Sequence, residues 1–295
     1  MVTMRINPLD VKTSHEPAGI VGAEVTRRND GANRTVRLLT SAPTQFTDPM
    51  RTRTLELGAS PTSELPGPAA AWWQLDSGPG AADLNMAFDE ALLEAVADLR
   101  RPVLRFYGWT ERAATFGYFQ RHAEIVRLTR LRPLVRRPTG GGLVPHEADW
   151  TYSLVFPPGQ GWYALRASES YERAHVWIRD AFARNGVATE LSPCCRKEAP
   201  GQCFVGAERF DVLWHGRKVA GAAQRRNQLG LLIQGSVQPP PIPLPRTAWQ
   251  QAMCETAHAR WGVTWEELRP GPALEARAST LAREKYSRPS YNEKR

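Results

Sequence analysis

Residues 70–290 predict one α+β domain with a mostly antiparallel central sheet and helices covering one side of it, and three observations lead there. Three strand-like runs at 209–214, 217–225 and 230–237 follow one another at hairpin spacing. Other strand-like runs also come in neighbouring pairs, with helical periodicity set between the groups. No internal repeat divides the region.

Taken in order, AWWQLDS at 71–77 reads as the first strand, broken by Gly78 and Gly80. Asp83 can cap a helix over 84–99, where Leu84, Phe88, Ala91, Leu92, Ala95, Val96 and Leu99 recur at three- and four-residue steps. Asn85, Asp89 and Glu90 fall off that stripe and read as a solvated face, with acids well placed near a helix N-terminus. Pro102 separates the helix from VLRFYGWT (103–110) and ATFGYF (114–119), which read as a hairpin. Gln120 at its end is either ordinary surface or an amide facing a ligand. A short helix over about 121–131 leads to LVRR at 134–137.

Farther on, Ser168 caps a helix whose stripe of Tyr171, Ala174, His175, Ile178 and Phe182 ends at Gly186, so His175 reads as a packed core residue. After a loop over 193–201 come the three strands, the first two joined at His215-Gly216. PPPIPLP at 239–245 is an extended connector, and amphipathic helices over about 247–261 and 272–286 finish the chain.

Residues 136–153, RRPTGGGLVPHEADWTYS, have a composition that no packing argument favours. Gly140, Gly141 and Gly142 fill no core; glycine serves where the backbone needs positive φ or where N–H groups must approach a ligand. Pro138 fixes the entry, Arg136 and Arg137 bring positive charge, and 149–156 reads as a strand. The run predicts a glycine loop facing something anionic or carbonyl-bearing. The plain alternative is a hairpin with an over-flexible turn.

Aromatic residues are unevenly spread: of 10 Trp, 7 Tyr and 9 Phe, only Phe46 lies in the first 68 positions. That segment cannot bury enough apolar surface to offset its ordering entropy, so residues 1–68 are predicted to be a disordered extension to a domain spanning 69–295. Its formal charge of +1 leaves +7 of the total +8 on the domain, which points to an anionic partner. No nucleic-acid motif accompanies that charge. No apolar stretch approaches the roughly 20 residues of a membrane helix, and the N-terminus has no apolar signal core. A soluble cytoplasmic protein is expected, with Cys194, Cys195, Cys203 and Cys254 as thiols.

Few residues are chemical candidates. Lys218 sits in a strand run beside Val219, Ala220 and Gly221; it lies on the outer face, or it is held inward for a purpose, since burying an ammonium costs desolvation. Cys203 stands fifteen residues earlier, after a Pro- and Gly-rich loop, and a loop cysteine in a basic environment can act as a thiolate nucleophile. Cys194 and Cys195 with Cys203 fit no closed tetrahedral zinc pattern. His146, after the glycine loop, is a candidate base or hydrogen-bond donor.

RRPTGGGLVPHEADWTYS resembles the signature of the lipoate-protein ligase and octanoyltransferase family, which shares the biotin protein ligase catalytic fold. NMAFDEALL (85–93), with LRFYGWT (104–110) and FGYFQ (116–120), is similar to that family's N-terminal part. GRKVAGAAQRR (216–226) and GLLIQGSV (230–237) are similar to its lysine strand and the next one, and KYSRPSYNEKR to its closing segment. The likeness covers residues 72–295 with the motifs in order.

The resemblance implies a biotin/lipoate-protein-ligase-like catalytic domain, its central sheet flanked by helices, with a tunnel for a medium-chain acyl group. It implies that Lys218 contacts the acyl carbonyl, where an ammonium stabilises a developing oxyanion. It also implies that Cys203, in a Cys-Phe pair ahead of the Gly-Arg-Lys strand, is the nucleophile of the octanoyltransferase branch. Arg136, Arg137, Thr139, Gly140, Gly141, Gly142, His146, Gly221 and Ala222 are its implied substrate-binding positions. The implied reaction takes an octanoyl or lipoyl group from acyl carrier protein, through a Cys203 thioester, to a lysine of a 2-oxoacid dehydrogenase lipoyl domain or glycine cleavage H protein. That route needs no cofactor, metal, nucleic acid or membrane, and its acidic partners suit a basic surface.

Two other readings stay open. One is an ATP-dependent lipoate ligase, using ATP and Mg to form lipoyl-adenylate, with Cys203 incidental; Arg225 and Arg226 suit nucleotide phosphate as well as an acidic partner. The other is a non-catalytic protein that binds an acyl group or acylated partner on the same fold. Pro145 before His146, and Glu147-Ala148-Asp149 after it, depart from the family pattern and leave the role of His146 open.

Overall fold

The computed structural model describes residues 70–195, 201 and 204–294. The predicted extension over 1–68 and Cys203 lie outside the described residues. The chain begins with β1 (Ala71–Gly80), α1 (Ala82–Leu99), β2 (Val103–Trp109), β3 (Ala113–Phe116), α2 (His122–Leu128), β4 (Leu134–Arg136), β5 (Val144–His146) and β6 (Trp150–Phe156). Next come α3 (Gly161–Ala164), α4 (Ala167–Arg184), β7 (Glu190–Leu191), β8 (Val212–Trp214), β9 (Arg217–Asn227) and β10 (Gly230–Val237). It ends with α5 (Arg246–Trp261), β11 (Thr264–Glu267), α6 (Pro272–Leu281), a π-helical turn (Ala282–Tyr286) and α7 (Pro289–Asn292).

The strands form an eight-stranded sheet in the order β11-β1-β2-β6-β10-β9-β8-β7 and a small sheet in the order β4-β3-β5. In the large sheet β1 is parallel to both its neighbours, and the remaining pairings are antiparallel. The meander β8-β9-β10 follows the hairpin signals in the sequence. His215 (φ 48°) and Gly216 (φ 74°) both take the left-handed conformation that a tight two-residue turn needs.

The predicted hairpin over 103–119 does not form. Both edges of β2 are already taken by β1 and β6, so β3 turns away and pairs with β4 and β5 in the small sheet. The helices also cover both faces of the large sheet rather than one. Trp72, Phe106, Tyr152 and Ile233 pack against Trp177 of α4 and Trp249 of α5. On the opposite face Val103, Val155 and Leu232 meet Leu92, Leu93 and Val96 of α1. With both faces covered, β6 and β10 are buried along their whole length. Burial of each such large apolar side chain contributes roughly 1.5–3 kcal/mol.

Helix starts lie a little earlier than the cap signals suggest. Asp83 and Ser168 fall inside their helices; Ala82 N instead donates to Glu111 Oε1 at 2.9 Å, and Arg166 N to Glu169 Oε2 at 3.0 Å. Among the described residues no helix is long and apolar enough to cross a membrane.

Candidate active site

A narrow, mostly apolar cleft lies between the two sheets. Tyr107, Thr151, Gln234 and Gly221 come from the large sheet, and Thr115 and Val144 from the small one. Alternation brings these polar residues to one face: in β6 and β10 the bulky residues 152, 154, 231 and 233 point to α4 and α5, so 151, 234 and 236 point to the cleft.

Lys218 enters this cleft from β9, its side chain only 6% exposed. Its Nζ lies 2.7 Å from Asp211 Oδ2 and 5.1 Å from the centre of the Phe204 ring. Asp211 is buried. Tyr171 Oη donates to its Oδ1 at 2.6 Å, and Glu208 N donates to Oδ2 at 2.6 Å.

His146 is held from three sides. Its ring stacks on Trp109 with centroids 3.7 Å apart; Nε2 pairs with Thr115 Oγ1 at 2.8 Å and Nδ1 with Asp149 Oδ2 at 2.9 Å. Ser236 Oγ also donates to Asp149 Oδ2, at 2.7 Å. With both ring nitrogens engaged, His146 shapes the wall of the cleft.

Beneath the cleft lies a buried polar network centred on α1. Arg105 Nη1 and Ser153 Oγ each donate to Asp89 Oδ1 at 2.7 Å, Gln234 Nε2 donates to Asp89 Oδ2 at 2.7 Å, and Tyr107 Oη to the same oxygen at 3.1 Å. Asn85 accepts from Arg105 at 2.8 Å and donates to Gly108 O at 2.8 Å. Glu90, the next residue along the helix, ties it to the C-terminal segment through Lys285 and Tyr286 Oη, the latter at 2.7 Å. Burial works against its charged form, but Lys285, Tyr286 and Arg225 outweigh that and hold the carboxyl below its usual range. The three residues read from the sequence as a solvated face are therefore buried. Asn85 and Asp89 find their polar partners on β2, β6 and β10, and Glu90 finds its own on β9 and the C-terminal segment.

The glycine loop is pinned to its surroundings. Gly141 takes φ 82°, and a methyl at Gly117 would overlap the Gly141 carbonyl oxygen, so the two chain segments touch as only glycine permits. Tyr118 N donates to Thr139 O at 2.9 Å, and Arg137 Nη2 donates to Gly140 O. Leu143 N and Gln120 Nε2 both donate to Gly201 O, at 2.8 and 2.9 Å.

A model of the lipoyl protein ligase A/B catalytic domain matches residues 81–238. The chain belongs to this family. Curated relatives include octanoyltransferase LipM of Exiguobacterium sibiricum, 36% identical over 167 residues, 52% of this chain and 60% of that protein. Octanoyltransferase LipM of Bacillus subtilis is 32% identical over 179 residues, 56% of this chain and 64% of that protein. The chain thus spans less than two thirds of these relatives. A putative lipoate protein ligase from Thermoplasma acidophilum, with bound lipoic acid, has the same fold: TM-score 0.64, 18% identity, 77% of this chain and 99% of that one. A lipoate-protein ligase A bound with ATP superposes with TM-score 0.62 at 18% identity, over 76% of this chain and 98% of that one.

Of the positions implied by the lipoyl ligase resemblance, Arg137, His146, Lys218, Gly221 and Ala222 come together on the cleft walls. Thr139 reaches it indirectly, donating to Gln234 Oε1 at 2.7 Å. Gly140, Gly141 and Gly142 do not line the cleft, and Gly140 and Gly141 lie against Gly117. Arg136 turns away altogether, its guanidinium donating to Tyr118 O, Gln120 O and Asn292 O at 2.7–2.8 Å. Cys203 falls outside the described residues, while Phe204 lines the cleft.

Sequence reasoning missed Asp89, Gln234, Trp109 and Asp211. Asp211 left a signal, an acid in the apolar run FDVLW seven residues before Lys218. Cys254, in contrast, is no nucleophile candidate: burial, helped by Glu255, pushes its thiol up to about 12. Among the described residues no group of three or more His, Cys, Asp or Glu is arranged to hold a metal.

Proposed function

We propose that this protein transfers an octanoyl group from acyl carrier protein to a lysine of a lipoyl domain or glycine cleavage H protein, through a thioester on Cys203. The observation that carries the reading is Lys218, whose ammonium is kept in a buried apolar cleft with Nζ 5.1 Å from the ring of Phe204, the second residue of the Cys203-Phe204 pair. The names of the curated relatives support it.

In the first half, the Cys203 thiolate attacks the octanoyl thioester carbonyl. Negative charge gathers on the carbonyl oxygen, which the Lys218 ammonium stabilises, and the pantetheine thiolate leaves. In the second half, a neutral lysine amine of the acceptor attacks the Cys203 thioester, the amide forms, and Cys203 departs as thiolate while the proton lost by the amine passes to solvent. A thioester is exchanged for a thioester and then for a more stable amide, so no nucleotide drives either half. The apolar walls suit the alkyl chain and exclude competing water.

The charge that suited a nucleotide is used elsewhere. Arg225 pairs with Glu90 at 3.4 Å, and Arg226 donates to the carbonyl of Tyr163 and, at 3.2 Å, to Ser170 Oγ.

Intact-protein mass spectrometry after mixing with octanoyl-acyl carrier protein, without ATP, tests the proposal. The expected result is one added octanoyl mass, labile to hydroxylamine and absent in Cys203→Ala. A wild type that stays unmodified, yet acylates a lipoyl domain when ATP and free acid are added, is a ligase and contradicts it.

A further inference from the structure

We propose that Asp211 is a positioning residue for this reaction: it holds the Lys218 ammonium folded back across Gly221, and so fixes where the cation stands relative to the acyl carbonyl. The inference rests on the role of Lys218 in the proposed transfer.

Four methylene groups let a strand lysine extend to water, its ordinary course. Lys218 does otherwise, and three features account for it. First, the pairing of β8 with β9 shifts register between Val212 and Leu213, opposite Ala220 and Lys218, an irregularity of the kind that re-aims a side chain. Second, the lysine crosses the space above Gly221; a methyl there would lie 2.6 Å from Lys218 Cε and 2.7 Å from Nζ. Third, Asp211 takes the ammonium at 2.7 Å. The result is a cation at the meeting point of the cleft and an outer trough walled by Pro145, Val205, Arg217 and Gln238, both of which Lys218 and Phe204 line.

The acid is itself fixed from two directions. Tyr171 of α4 donates to one oxygen and Glu208 N to the other, and the same Tyr171 hydroxyl lies 3.5 Å from Ala222 N on β9. A buried ion pair of this kind adds little net stability over an apolar pair of similar volume. What it supplies is direction: a carboxylate with both oxygens engaged cannot swing, so the lysine bound to it cannot either. Preorganised charge of that sort lowers a barrier because nothing has to reorient as the oxyanion forms.

The test is a double-mutant cycle on acyl transfer, combined with chemical labelling of Lys218. Asp211→Asn is expected to lower kcat about 100-fold with KM little changed, the scale of losing one oxyanion-stabilising donor, and Asp211→Glu to recover part of the loss. In a Lys218→Ala background, Asp211→Asn is expected to cause no further loss, because the acid acts through the lysine. Additive losses, or wild-type kcat in Asp211→Asn, overturn the proposal. The rate at which acetic anhydride modifies Lys218, read by peptide mass spectrometry, is expected to rise in Asp211→Asn, and an unchanged rate overturns the hold. This arm is independent of the reaction: if the wild type takes up no acyl group without ATP, the transferase reading fails while the labelling still decides about Asp211. Should Asp211→Asn not fold, Gly221→Ala takes its place, since it keeps the acid and fills the space the lysine crosses. The same fall in kcat and rise in labelling are then expected; wild-type behaviour of Gly221→Ala overturns the proposal.

Discussion

Asp89 of α1 and Gln234 of β10 meet at 2.7 Å beneath the cleft, and through Gln234 the helix acid is joined to Thr139 ahead of the glycine loop. This chain of contacts ties the wall of the cleft to its floor. Arg105 is the counter-charge, and both members of the pair are almost fully buried.

Replacing Asp89 by Leu strands the Arg105 guanidinium in the interior. The expected loss is about 3–5 kcal/mol, because an uncompensated buried charge remains. Urea unfolding of the variant measures it, and Arg105→Met in the same background is expected to restore part of the loss.

Alanine is expected to be costly at Gly117 and tolerated at Gly140. A methyl at Gly117 overlaps the Gly141 carbonyl, so the loop must move; about 1–3 kcal/mol and much of the acyl-transfer activity are expected to go. A methyl at Gly140 meets nothing within 4 Å, and its stability is expected to stay within about 0.5 kcal/mol of wild type. Thermal unfolding and an acyl-transfer assay on the pair check both.

These contrasts mark what the sequence reveals and what it conceals. The meander is legible because the strand runs and the His215-Gly216 turn are set by local sequence. Lys218 is legible as a lysine that needs a reason, since its apolar neighbours make its burial costly. Asn85, Asp89 and Glu90 are misread because each is satisfied by a partner 16 or more residues away. A helical wheel shows polarity but not the arginine that will meet it. The 103–119 hairpin fails for a similar reason: adjacency in sequence does not say that β1 and β6 will claim both edges of β2. Arg136 and Arg137 look equivalent in the motif, yet one faces the cleft and the other ties down the C-terminal segment.

Stability should fall in mild acid through His175. Burial pushes its ring down to about 4 from an ordinary 6.5, with Asp211 and the Tyr171 carbonyl pulling the other way. Between those values the unfolded chain binds a proton that the folded one refuses. The contribution is therefore full above about pH 6.5 and is lost as the pH falls toward 4, by about 3 kcal/mol in all. Urea unfolding of wild type and His175→Leu across this range should show a shallower slope for the variant.

Arg136 should control the C-terminal segment. Its guanidinium and amide reach Tyr118, Gln120, Tyr291 and Asn292. Arg136→Ala is expected to raise hydrogen exchange across residues 286–294, and Arg136→Lys to rescue little, because a point ammonium cannot span the same carbonyls. Mass-resolved exchange on the three proteins checks this.

The proposed transfer requires a covalent octanoyl-enzyme that is competent for the second half of the reaction. Octanoylated protein, freed of acyl carrier protein and ATP, is mixed with a lipoyl domain, and both masses are followed. The octanoyl mass is expected to leave Cys203 and to appear on one lysine of the domain, in equal amount. A thioester that persists, or hydrolyses with no acyl group on the domain, would contradict it.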